Sequence, residues 1–194
     1  ATIIYTSGTS GRPKGVMLSH HNILTNAHSR LQVVHIRPDD LLLSFLPRSH
    51  TFERTGGYYA PMIGGATVAR ARTVHQLQED LLTIRPTILV SVPRIYERIY
   101  AGIRAKLAES SVLSVKLFEL AVAIGNSRFE CRQGRAPRRM SHLLWPVLKL
   151  LVAKKVMDKL GGRLRGAMSG GAALSSEVAR IFIGLGLPIL QGYG

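Results

Sequence analysis

Short apolar runs rich in Leu, Val and Ile alternate along this chain with longer stretches whose apolar residues recur at helical spacing. That alternation constrains the fold most, because strands paired in parallel need long crossovers between them, and helices are the usual crossovers. The candidate strands are Thr2 to Tyr5, Leu41 to Leu46, Ala66 to Arg70, Thr87 to Val92, Leu164 to Met168 and Pro188 to Leu190. Candidate helices lie at Ser19 to Val34, His50 to Ile63, His75 to Ile84, Pro93 to Ala108, Leu113 to Cys131, Ser141 to Leu160 and Ser175 to Leu185. The pattern predicts an α/β protein built mainly on a parallel sheet with crossover helices. Ser19 and Ser175 can cap helix N-termini, Glu177 adds an acidic group in a first turn, and Gly161-Gly162 can end a helix in the left-handed conformation. Between Arg132 and Met140, Gly134, Pro137 and the paired Arg138 and Arg139 break the helical period and predict an exposed loop.

One loop carries chemistry. Tyr5-Thr6-Ser7-Gly8-Thr9-Ser10-Gly11-Arg12-Pro13-Lys14-Gly15 follows a strand-like run and combines aliphatic hydroxyls, glycines and a lysine. Glycines let backbone N–H groups turn toward phosphate oxygens, hydroxyls add donors or reach a divalent metal, and lysine supplies a mobile point charge. The glycine spacing, and Gly15 where a hydroxyl would follow the lysine, exclude a Walker loop.

This segment resembles the phosphate-loop signature of the adenylate-forming superfamily, which includes acyl-CoA synthetases, luciferases and peptide-synthetase adenylation domains. The resemblance implies that Thr6, Ser7, Gly8, Thr9, Ser10 and Gly11 surround the pyrophosphate of ATP. It also implies that Lys14 helps hold it and that Thr6 helps coordinate Mg2+. Ser169-Gly170-Gly171-Ala172 follows a strand and precedes a helix, where small residues let a flat ring approach the backbone. Gln191-Gly192-Tyr193-Gly194 adds an aromatic face. In the superfamily two such segments sandwich adenine, which implies nucleotide-binding roles for Gly170, Gly171, Ala172, Gln191, Gly192 and Tyr193.

Leu46-Pro47-Arg48-Ser49-His50-Thr51-Phe52-Glu53-Arg54 is similar to a stretch of long-chain fatty acyl-CoA synthetases, as are Val92-Pro93-Arg94-Ile95-Tyr96-Glu97-Arg98-Ile99 and Leu160-Gly161-Gly162-Arg163-Leu164-Arg165. The long helical stretch between Tyr100 and Lys159 fits the same group. His50 titrates near neutrality when unperturbed, so a role beside a carboxylate or mixed anhydride is chemically sensible; the competing role is a cap or packing. Glu53 and Arg54 are expected to form an ion pair or helix-surface contacts.

The net charge of +15 raises the question of a polyanionic partner. Much of the excess lies between Arg128 and Arg165, where eleven Lys or Arg face only Glu130 and Asp158. No base-reading motif accompanies them, so nucleic acid is not the expected partner; a solvated face, then an anionic membrane surface, are. Ser141 to Leu160 mixes Leu, Val and Trp145 with Lys149, Lys154, Lys155 and Lys159. It reads as a core-packed helix or as an interfacial one, with Pro146 marking a kink or a first turn. The single cysteine, Cys131, cannot form an internal disulfide, and His21, His28 and His35 at intervals of seven lack metal-ligand spacing. A cytoplasmic location, with peripheral membrane contact, is the expectation.

Together these readings imply ATP-dependent activation of a long-chain fatty acid to acyl-AMP and then acyl-CoA, with ATP, Mg2+, coenzyme A and the fatty acid as partners. Adenylation of an aryl or amino acid, or a non-catalytic basic module that binds membrane or polyanion, are the alternatives. The chain starts inside a strand-like run and stops at Gly194. It is expected to be part of an AMP-binding N-terminal domain, truncated at both ends and without its C-terminal domain, and so inactive alone.

Overall fold

The computed structural model describes residues 2–6 and 13–192. A two-stranded antiparallel hairpin comes first, β1 (Thr2–Thr6) against β2 (Lys14–Leu18), with Thr6 opposite Lys14. The sequence did not predict β2; residue 14 to 18 owe their extended form to pairing with β1. Helix α1 (His20–Val34) starts at a capping box: the Ser19 hydroxyl accepts from the Asn22 N–H at 3.1 Å, and Asn22 Oδ1 accepts from the Ser19 N–H at 2.9 Å.

The main sheet is parallel, as predicted, and contains β3 (Leu41–Ser44), β4 (Thr67–Arg70), β5 (Ile88–Ser91), β6 (Gly166–Ser169) and β7 (Ile189–Gln191) in the order β4-β3-β5-β6-β7. Between β3 and β4 runs one helical rod: α2 (Thr51–Arg54), a π-helical stretch (Thr55–Tyr59) and α3 (Ala60–Ile63). Then follow α4 (Leu77–Ile84), α5 (Pro93–Ala108), α6 (Val112–Arg132), α7 (Trp145–Leu148), α8 (Lys154–Asp158) and α9 (Ser176–Gly184).

The inner strands β3, β5 and β6 are buried on both faces, which is why they read as apolar runs, whereas the edge strands β4 and β7 are partly exposed. Leu43, Leu89 and Ala167 point to one side, where Leu77 and Leu81 of α4, Tyr96 of α5 and Val178 and Phe182 of α9 cover them. Leu42, Ile88, Val90 and Met168 point to the other, toward Phe52 and the end of α1 at Val34. Each fully buried Leu or Phe contributes roughly 1.5–3 kcal/mol.

Beyond α9 lies a third layer. Helix α6 crosses α9 at Gly125 and Gly184, so close that a Cβ on Gly125 would fall 1.8 Å from the Gly184 carbonyl oxygen. Residues predicted as one helix over Ser141 to Leu160 form a 3-10 turn (Met140–Leu144), α7, a π-helical stretch (Lys149–Ala153) and α8. Pro146 sits in the first turn of α7, where its missing N–H costs nothing. Gly161 and Gly162 take φ of +90° and +71° after α8, as their sequence predicted. Ser175 stands at the start of α9, but its hydroxyl makes no capping bond.

Candidate functional site

The chain turns outward from β3 toward β4 on one side and from β5 toward β6 on the other, so β3 and β5 flank a topological switch point. Open α/β sheets bind ligands at the C-terminal ends of strands beside such a point. Here those ends carry Ser44, Ser91 and Ser169, each buried. Three side-chain atoms are buried without a hydrogen-bond partner among the described residues, and they are Glu53 Oε2, Ser169 Oγ and Arg30 Nη1. All belong to this edge or to the helices packed over it. Native proteins seldom leave such groups unpaired, and those they leave are candidates for ligand contact.

Glu53 corrects the sequence reading. It is not a surface partner of Arg54: it is buried at 1% exposure, and its Oε1 accepts from the Ser44 hydroxyl at 2.5 Å. Burial pushes its carboxyl above the ordinary value, against the opposing pull of Ser44, Arg70 and Arg48. Gly57 makes room for it, since a Cβ there would lie 2.3 Å from Glu53 Oε1. Arg54 reaches away instead, donating from Nη1 to Thr2 Oγ1 at 2.8 Å and so tying α2 to the hairpin.

His50 takes the capping role: its Nδ1 accepts from the Phe52 N–H at 3.2 Å, which leaves Nε2 to carry the proton of the neutral ring. It lines a cavity of about 1110 Å³ with Tyr5, Met17, Asn26, Arg30, Phe52 and Val92. The cavity therefore joins the hairpin, α1 and the segment after β3.

Small residues were predicted to admit a flat ring at Gly170. A ring is there, and it is the chain's own: a Cβ on Gly170 would lie 2.3 Å from Phe52 Cε2, and one on Gly192 would lie 3.4 Å from the same atom. The Arg30 guanidinium sits 5.2 Å from the centre of that ring, and burial lowers its pKa. Gly171, at φ +82°, is different, because the nearest atom to a Cβ there is Val92 Cγ1 at 3.9 Å. Gly171 and Ala172 are exposed and leave an open side next to Ser169. Across it, the Gly192 N–H donates to the Ser169 carbonyl at 2.9 Å, and Gln191 Oε1 accepts from the Leu174 N–H at 3.4 Å.

The structure thus brings His50, Gly170, Gly171, Ala172, Gln191 and Gly192 to one edge, and it sets the Thr6 and Lys14 backbones opposite each other beside the same cavity. Ser7, Gly8, Thr9, Ser10, Gly11 and Tyr193, with the Thr6 side chain, lie outside the described residues. Sequence reasoning missed Arg30 and the inward course of Glu53, and it assigned Phe52 no role. Only the Phe52–Gly170 pairing had a signal, in a glycine expected to lie against a ring. Among the described residues no three His, Cys, Asp or Glu converge as a metal cage.

The family model described as AMP-binding enzyme matches residues 1–194. A peroxisomal long chain acyl-CoA synthetase 7 of Arabidopsis thaliana is 37% identical over 195 residues, covering 100% of this chain and 27% of the relative. A putative fatty-acid–CoA ligase, fadD11, of Mycobacterium tuberculosis is 34% identical over 198 residues, covering 100% of this chain and 34% of the relative. The chain therefore spans between a quarter and about a third of the length of these curated relatives. Among solved structures, apo MatB from Rhodopseudomonas palustris superposes with a TM-score of 0.62 at 22% identity, over 99% of this chain and 28% of that one. The inhibitor-bound N-terminal domain of FACL13 from Mycobacterium tuberculosis gives 0.59 at 20% identity, over 99% of this chain and 36% of that one. These two likenesses are of fold.

Proposed function

The chain belongs to the AMP-binding enzyme family, and from that premise we propose that it forms the nucleotide- and acyl-binding part of an enzyme that activates long-chain fatty acids. A carboxylate oxygen attacks the α-phosphorus of ATP, the bond to the bridging oxygen breaks, and pyrophosphate leaves. The thiolate of coenzyme A then attacks the acyl carbon of the acyl-AMP, and AMP leaves with the bonding pair. No protein nucleophile is required; the work is positioning and charge stabilisation.

The observation that carries the reading is the cluster of buried polar atoms around the switch point that have no partner among the described residues, beside a cavity large enough for a substrate. Lys14 and residues Thr6 to Gly11 would hold the phosphates. Magnesium would enter with those phosphates and neutralise charge there, and Thr6 is the residue proposed to reach it. The open side at Gly171 and Ala172 suits adenine, with Gln191 and Gly192 opposite, because Phe52 already fills the Gly170 side; Tyr193 is the residue proposed to supply the aromatic face. His50 stands at the cavity wall with its Nε2–H available to a carboxylate oxygen or to the anhydride.

The test is pyrophosphate release by the full-length protein across a panel of fatty, aryl and amino acids. The expected result is the highest kcat/KM with a long-chain fatty acid, falling on His50→Ala; preference for an aryl or amino acid overturns the assignment. Because the relatives are much longer, the 194-residue piece alone is expected to make no acyl-CoA.

A further inference from the structure

The layer from Met140 to Asp158 packs inward like any core helix. Leu148 and Ala153 are buried, and Trp145, Val152 and Val156 join them against Phe118, Ala121 and Ile124 of α6 and against Leu185. An outer face is then expected to be polar. This one is not. Met140, Leu143, Leu144, Val147, Leu150 and Leu151 recur at three- and four-residue intervals along it and are exposed, Met140 by 82% and Leu143 by 65%. A contiguous apolar stripe of this kind marks a contact surface.

The surroundings say what kind of contact. No Asp or Glu occurs between Glu130 and Asp158. Among the described residues, Arg135 pairs with Glu130 and Lys154 with Asp158, whereas Arg132, Arg138, Arg139, Lys149 and Lys155 have no carboxylate partner. Burial, and then the charges of Arg128, Arg138 and Arg139, push the His142 imidazole below its ordinary value, so three guanidinium groups gather where the stripe begins. Apolar side chains flanked by unpaired cations complement a surface that is negative outside and apolar beneath. No helix among the described residues is long and apolar enough to cross a membrane, and the contact this face suits is with the surface of a bilayer.

We propose that the outer face of Met140–Ala153 docks on an anionic lipid bilayer, with Leu143, Val147 and Leu150 entering the headgroup–acyl boundary and the neighbouring cations meeting lipid phosphates. The stripe lies beyond α9 on one side of the sheet, while the cavity near His50 opens on the other. Docking therefore localises the protein and leaves the chemistry at the strand ends untouched.

The experiment is co-sedimentation of the full-length protein, without ATP or acyl substrate, with phosphatidylcholine vesicles and with vesicles containing about one-third phosphatidylglycerol. Because no turnover is involved, the outcome is independent of the adenylation reading. Binding is expected to the anionic vesicles only and to weaken as salt is raised. Leu143→Ser/Leu150→Ser should lower that affinity about tenfold or more, and Arg138→Ser/Arg139→Ser about tenfold at low salt. Both variants change exposed residues, and unchanged melting confirms that they fold. Failure of the wild type to bind, or binding indifferent to the leucine substitutions, overturns the proposal. So does a self-associating wild type whose leucine variant becomes monomeric yet keeps its vesicle binding, which would make the stripe a contact between copies. RNA homopolymer binding that displaces vesicles and ignores the leucines overturns it as well.

Discussion

At the N-terminal ends of the central strands Asp40 has both carboxylate oxygens engaged; at their C-terminal ends Glu53 uses only one. Arg165 donates to Asp40 from Nε at 2.8 Å and from Nη2, Thr87 donates from its hydroxyl at 2.7 Å, and the Arg37 N–H donates at 2.8 Å. Thr87 and Arg165 come from the starts of β5 and β6 and Arg37 from the segment just before β3, so one buried charge ties three strands together. Burial pushes the Asp40 carboxyl up, but Arg165, Thr87 and the Arg37 N–H outweigh it and hold the pKa at about 2. At the other end burial wins, Glu53 titrates above its ordinary value, and among the described residues Ser169 Oγ and Arg30 Nη1 lack partners as well. The same sheet is closed by polar pairing at one end and left with unmet polar groups at the other. Unmet buried groups cost stability and are candidates for ligand contact, and that is the contrast between the proposed binding edge and the structural one.

The largest effect is expected from Arg165→Met, which leaves Asp40 buried and unpaired. Stability measured by denaturant should fall by about 3 kcal/mol, with kcat/KM per folded molecule unchanged. Lys14→Met probes the other edge: pyrophosphate release should drop about a hundredfold, with a smaller change in stability. An equal loss of stability in both variants would erase the distinction.

The two acids should give opposite pH dependence. Asp40 is held below its ordinary 3.8, so its stabilisation is present above about pH 4 and disappears as pH falls through about 2. It amounts to about 2 kcal/mol, and Asp40→Asn should remove that acid limb. Glu53 is held above its ordinary 4.5, so the folded state binds the extra proton and stability declines as pH rises through and beyond that value. Glu53→Gln should flatten that decline and be neutral to stabilising by about 1 kcal/mol at pH 7. Marked destabilisation by Glu53→Gln would mean that the C-terminal edge is as fully paired as the other.

The sequence carried much of this layout. Strands β3 to β7 lie within two residues of their predicted positions, and α5 matches Pro93 to Ala108 outright, because a two-sided buried sheet writes itself as apolar runs and a proline marks a helix start. The glycines and hydroxyls now seen at the strand ends drew attention in the sequence because they cluster there. The rest depended on contacts between distant segments. Strand β2 exists through its pairing with β1, and Glu53 is inside because Ser44 and Gly57 make a place for it. Phe52 meets Gly170 across more than a hundred residues; the small residue at 170 signalled a ring, but nothing local stated that the ring is Phe52.

Amide hydrogen exchange on the full-length protein, with and without a non-hydrolysable acyl-AMP analogue, compares the two edges in one experiment. Ligand protection is expected at residues 47–52, 169–172 and 191–192, with none at 37–41, 87 or 165. Protection confined to the Asp40 end, or absent from the C-terminal strand ends, would contradict the assignment of the site.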